Sequence, residues 1–115
     1  MIKYHTNADG KTVAEILSGS EIIASPDDIL DMMVSAGYQD CNKLVIHDKS
    51  LHQDFFDLKT GLAGEILQKF SNYRMKLAIV GDFSGIKSKS FNDFVRESNK
   101  WGIISFVDSL EKALT

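Results

Sequence analysis

Apolar and polar positions change their period along this chain, and each change marks an element. Ile2, Tyr4 and Thr6 alternate with Lys3 and His5, the period of a half-exposed strand. Asn7-Ala8-Asp9-Gly10 is a strong turn signal, and residues 12–17 resume as a second strand, so residues 2–17 read as a hairpin. Ser18-Gly19-Ser20 turns the chain again, and residues 21–24 read as a short third strand.

The period then becomes helical. Ser25-Pro26-Asp27-Asp28 is the clearest helix start: Ser25 caps, Pro26 fits the first helical position, and Asp28 completes a capping-box pattern. Ile29, Leu30, Met33 and Val34 form its apolar face, and Gly37 is the expected stop. Leu44-Val45-Ile46 is a short buried strand with His47-Asp48 at its carboxyl end, and residues 49–54 are a polar connection.

Residues 55–83 form the unit on which the rest is expected to pack. Phe55-Phe56 reads as core at the entry to a helix whose inner face is Leu62, Ala63, Ile66, Leu67 and Phe70, with Glu65, Gln68, Lys69 and Ser71 opposite. Gly61 and Gly64 sit three apart at its start. A helical Gly costs about 1 kcal/mol against Ala, so the pair suggests close approach of the backbone to a neighbour or ligand, or a tight seat on the sheet. Residues 77–80 are a continuous apolar run, which suits a strand covered on both sides. Beyond it, Ser90 and Asp93 make a second capping-box pattern, Phe91, Phe94 and Val95 an inner face, and Gly102 a stop. Residues 103–107 read as a last strand, and Asp108-Ser109 caps a final short helix. Strands alternating with helices require an α/β sheet with parallel connections, here made mixed by the first hairpin.

Composition narrows the setting. The 115 residues suffice for one domain with a real core, residues 1–115, and one Cys excludes an internal disulfide. The opening MIKYHTNADG has no apolar signal core, and no apolar run approaches the roughly 20 residues of a membrane helix, so a cytoplasmic protein without membrane attachment is expected. The net charge of -3 argues against nucleic-acid binding. Residues 1–58 carry ten acids against four Lys or Arg, whereas residues 59–100 carry eight Lys or Arg against four acids. That asymmetry, with the Phe55-Phe56 pair, motivates the expectation of a homodimer.

Candidate chemistry is sparse. His47, Asp48, His52 and Asp54 match no established metal-ligand spacing and read as a polar loop. Nothing near Cys41 activates it, since Asp40 raises a thiol pKa. There is no G-x-S-x-G, no Walker loop and no G-x-G-x-x-G, so no cofactor is implied. Gly81-Asp82-Phe83-Ser84-Gly85 is a Gly-flanked loop after a strand, leading to Lys87, Ser88 and Lys89 at a helix start, where N–H groups and ammonium groups suit a phosphate or carboxylate.

The runs DFFDLKTGLAGEILQKF and NYRMKLAIVGDF and the segment SKS-FNDF-x-x-ESN resemble the characteristic segments of a bacterial family described as a domain of unknown function (domain of unknown function 4180), over nearly the whole chain. That resemblance implies no activity. The order of elements also resembles the STAS domain of anti-sigma factor antagonists, where a segment ending Asp-Ser-Ser-Gly opens a helix and its last Ser is phosphorylated. The matching segment here is Asp57-Leu58-Lys59-Thr60-Gly61, with one extra residue before the hydroxyl and Lys59 in place of a small hydroxylated residue. The resemblance implies Thr60 as candidate phosphoacceptor and a single STAS-like α/β domain: a mixed, mostly parallel sheet with an N-terminal hairpin, flanked by about four helices. The functional end is expected at Asp57, Lys59, Thr60 and Gly61 together with Asp82, Ser84, Lys87, Ser88 and Lys89. The leading expectation is a non-enzymatic regulatory or ligand-sensing module with a protein partner or a small anionic ligand. The alternative is a small enzyme or phosphate/carboxylate binder using the helix starts near Thr60 and Ser88.

Overall fold

The computed structural model describes residues 2–17 and 23–115. Two strands, β1 (Ile2–Thr6) and β2 (Thr12–Ile16), pair antiparallel around a turn in which Asn7 Oδ1 accepts from the N–H groups of Asp9 and Lys11 and Gly10 takes φ +79°. Then come α1 (Pro26–Tyr38), β3 (Lys43–His47), α2 (Leu62–Asn72), β4 (Lys76–Val80), α3 (Lys89–Trp101), β5 (Ile104–Val107) and α4 (Leu110–Leu114). Three 3-10 turns, Asp48–Ser50, Gln53–Phe56 and Leu58–Thr60, link β3 to α2. The sheet order is β1-β2-β3-β4-β5, with every pair after the hairpin parallel. The chain is therefore α/β with a mixed sheet, an N-terminal hairpin and, among the described residues, four α-helices.

Sequential strand order has a consequence. Crossovers of one hand that never reverse direction must all lie on one face. Ile29 and Met33 of α1, Ile66 and Phe70 of α2, and Phe91 of α3 accordingly share one core with Ala14, Ile16, Leu44, Ile46, Leu77, Ile79 and Ile104 of the strands. Among the described residues only α4 crosses the opposite face, where Ala113 packs with Val13, Val45 and Ala78. The alternation of side chains along each strand thus serves two unequal layers. β4 is covered on both sides, as its continuous apolar run requires. An aromatic layer closes the core beside α3: Phe55 and Phe56 lie 6.3 and 5.5 Å from Phe91, and Phe106 lies 5.9 Å from it. The Phe55-Phe56 pair is therefore packed inward, which removes one of the two motives for expecting a homodimer.

Each crossover helix ends on a left-handed residue: Asp40 (φ 60°) after α1, Arg74 (φ 55°) after α2 and Gly102 (φ 81°) after α3. Cys41 N and Met75 N then return to the carbonyls of Ala36 and Phe70, the six-to-one closure of a Schellman turn.

Several expectations need correction. Gly37 lies inside α1, and Asp40 makes the turn instead. Val34 is 49% exposed, because the buried stripe is Ile29, Met32, Met33 and Ala36. α3 starts one turn-step earlier than the Ser90 pattern suggests: Ser88 Oγ accepts from Phe91 N, and Asp93 turns to Lys89 and Arg96. The expected turn at 18–20 and most of the third strand at 21–24 lie outside the described residues, but Ile23 makes a single parallel bridge to Leu51. The close approach inferred for Gly61 and Gly64 is absent. A Cβ at Gly64 meets nothing within 4 Å, and Gly61 is required for its φ of +81°.

Gly81 has the close approach instead: a Cβ there would sit 2.6 Å from the Asp48 carboxyl group. Urea unfolding should separate the two positions. Gly64→Ala is expected to stabilise by about 1 kcal/mol, and Gly81→Ala to destabilise by roughly 1–3 kcal/mol through overpacking. Equal effects of the two would contradict the packing described.

Candidate functional site

The two loops singled out in the sequence both follow the carboxyl ends of parallel strands and so lie at one end of the sheet. Phe56 and Phe91 stand between them, and among the described residues no hydrogen bond or ion pair joins one loop to the other. Because the strand order never reverses, there is no switch-point crevice of the kind that hosts ligands in doubly wound sheets.

In the first loop, Asp57 Oδ1 accepts from Lys59 N at 3.1 Å and closes the 3-10 turn. The Thr60 hydroxyl donates toward the Asp54 carbonyl at 2.6 Å, with the Asp57 carbonyl 2.9 Å away, and accepts from Leu62 N at 3.3 Å. Thr60 thus serves the first free N–H of α2, while Gly61 supplies the left-handed step into the helix. In the second loop, Asp82 Oδ1 accepts from both Ser84 N (3.0 Å) and Ser84 Oγ (2.6 Å). The Ser84 hydroxyl and N–H hold the Asp82 carboxyl below its usual range. Ser88 caps α3, and Lys89 pairs with Asp93 at 3.2 Å. Lys59 and Lys87 are exposed, and among the described residues no carboxylate lies within 4 Å of either. Beside this loop an open depression of about 740 Å³ is lined by Gly81, Asp82, Phe83, Phe106, Val107, Asp108 and Lys112. There Lys112 binds Asp108 at 2.9 Å.

A buried ionisable group lies elsewhere, on the α4 face, at a residue the sequence reading passed over. Glu15 on β2 is 6% exposed. One of its oxygens is 2.8 Å from His5 Nε2 on β1, and the other is 2.7 Å from His47 Nε2 on β3. Register explains the meeting. Glu15 pairs directly with Lys3 and Val45, and the histidines are its diagonal neighbours on the same face. Burial pushes the Glu15 carboxyl up, but the hydrogen bonds from His47 and His5, with their charge, outweigh it and hold the group below its ordinary range. An ionised carboxylate only accepts, so each Nε2 carries a hydrogen toward it. His52 goes elsewhere: its Nδ1 accepts from Asp54 N at 3.1 Å. Among the described residues no group of three or more His, Cys, Asp or Glu has metal-holding geometry. The available signal for Glu15 was its place as the one acid within the apolar run of residues 13–17.

A family model described as a domain of unknown function (DUF4180) matches residues 8–115. No curated protein and no solved structure matches the chain.

The pH dependence of stability tests the Glu15 bridge. The folded chain holds this proton less tightly than the unfolded chain, so stability from Glu15 is complete above about pH 4.3 and drains as pH falls through the folded value. Glu15→Gln should lower stability at pH 7 by roughly 1.5–3 kcal/mol. The gap from wild type should close in acid, as read by urea unfolding at a series of pH values. A gap constant with pH would mean that the carboxylate charge is not involved.

Proposed function

We propose that this chain, which belongs to the family described as a domain of unknown function (DUF4180), is a non-enzymatic regulatory or ligand-sensing interaction module. The observation that carries this reading is how the polar groups of the two loops are used. Asp57, Thr60, Asp82, Ser84 and Ser88 each close their own turn or cap their own helix. A hydroxyl already holding a helix N–H is poorly placed to be a nucleophile, and a carboxylate closing its own turn is poorly placed to be a base. The charges of Lys59 and Lys87 face outward with no carboxylate within 4 Å among the described residues, beside the exposed carboxylates of Asp57 and Asp82. That arrangement favours a fixed basic rim, held by satisfied turns, which meets an acidic surface on a protein partner.

The STAS-like reading of Thr60 as a phosphoacceptor is the second form of this proposal. A phosphate at Thr60 would remove the hydroxyl hydrogen that bonds the Asp54 and Asp57 carbonyls and set negative charge beside Lys59 at the positive end of α2, reversing the local charge.

The test is titration of a partner recovered from the native host against wild type and the Lys59→Ala/Lys87→Ala double variant. Exposed ion pairs contribute about 0.2–1 kcal/mol each, so affinity should fall roughly two- to thirtyfold, with the melting temperature unchanged. Thr60→Ala should separately cost about 1 kcal/mol of stability as a lost cap. Equal affinities for the wild type and the double variant would remove this end of the sheet from the function.

A further inference from the structure

We propose that the groove between α1 and the turn entering β4, at the opposite end of the sheet from the two loops, binds a small amphipathic carboxylate. The groove encloses about 310 Å³, at the small end of the roughly 300–1,000 Å³ that ligand sites occupy. Leu30, Met33, Val34 and Met75 supply its apolar walls. Its volume suits a short acyl chain or a single ring. The two methionines are unbranched and polarizable, and fit irregular hydrocarbon without a fixed shape.

Two exposed side chains extend these walls. Val34 is 49% exposed and Tyr73 55% exposed, and both line the groove. Val34 continues the apolar face of α1 past the part that the sheet and α2 cover, so its helical spacing has a buried purpose that the folded chain leaves unused. Contiguous exposed apolar side chains around a concavity are the usual mark of a binding surface.

Arg74 sets the chemistry of the occupant. It lines the groove and is exposed, and among the described residues no carboxylate lies within 4 Å of it. Its backbone is pinned at φ 55° by the turn that ends α2. A guanidinium presents a rigid fork that matches a carboxylate with two parallel hydrogen bonds. Apolar walls with a single cation at one edge select a molecule with a hydrocarbon body and one carboxylate. A neutral hydrocarbon would leave Arg74 unmatched, and a multiply charged ligand would bring its other charges against apolar walls.

Cys41, the one cysteine of the chain, also lines the groove and provides a reporter within the site. Burial and the charge of Asp40 push its thiol pKa up, so alkylation is slow and depends on access. The experiment uses octanoate, with octanol as the uncharged control, on the full chain. Calorimetric titration should show octanoate binding at least about tenfold tighter than octanol. Arg74→Gln, at an exposed position, should bring the two affinities together, and Arg74→Lys should restore part of the difference. Octanoate should slow maleimide labelling of Cys41 in the wild type, and Val34→Trp, which fills the groove, should abolish binding. Absence of octanoate binding, equal affinities for the acid and the alcohol in the wild type, an Arg74→Gln variant that retains the full preference, or Cys41 labelling that octanoate leaves unchanged would each overturn the assignment.

Discussion

A buried carboxylate between two imidazoles bridges the shortest ladder of the sheet. β1 and β2 share five register pairs, and so do β3 and β4, but β2 meets β3 through only two. The hairpin therefore joins the parallel body by a short ladder, and Glu15 sits in that ladder. Removing an ionised carboxylate from water costs several kcal/mol unless hydrogen bonds replace the lost hydration. Here His5 supplies one from the hairpin and His47 another from the parallel body. Of the two bonds that satisfy the charge, the one from His47 also spans the seam.

This arrangement follows from the unequal faces of the sheet. One-directional strand order sends α1, α2 and α3 to one face, and a single five-residue helix is left for the other. Apolar residues under α4, such as Val45 and Ala78, need no polar partner. Glu15 lies toward the hairpin side of that face, where the imidazoles, rather than a helix, shield it. The same one-sided winding removes the crevice that a reversed strand order would create. The carboxyl ends of the strands then carry self-closed loops with exposed lysines, and the opposite end carries the apolar groove beneath Arg74.

Periodicity made the architecture legible because it reports local geometry that the tertiary structure keeps. The helical spacing of Leu62, Ala63, Ile66 and Phe70 and the continuous run in β4 reappear as elements with those faces buried, whereas the alternation in residues 2–6 marks a strand whose Tyr4 and Thr6 stay exposed. Local signals failed where two candidates competed for one role. Ser88 and Ser90 both carry hydroxyls suited to capping, and the choice of Ser88 depends on where Phe91 must point to reach the core. Gly37 has the residue type of a helix stop, yet Asp40 takes the left-handed position because Cys41 must return into the core. Val34 has the right spacing but projects past the edge of what α1 covers. The two loops were legible as segments beyond the strand ends, where Asp57, Thr60, Asp82, Ser84 and Ser88 close their own turns or cap their own helices. Glu15 with its histidines was not, because His5 and His47 are brought to it by strand register and a parallel crossover, and neither is encoded in local spacing.

The most direct measurement on this account is the titration of the Glu15 carboxyl carbon by NMR, followed together with the ring nitrogens of His5 and His47. The Glu15 signal should move only below the ordinary glutamate range of about 4.3, and both Nε2 atoms should carry a hydrogen while the carboxylate is ionised. A Glu15 carboxyl that titrates above that range, as a desolvated acid without partners would, or an imidazole that lacks the Nε2 hydrogen, would contradict the bridge on which the sheet seam depends.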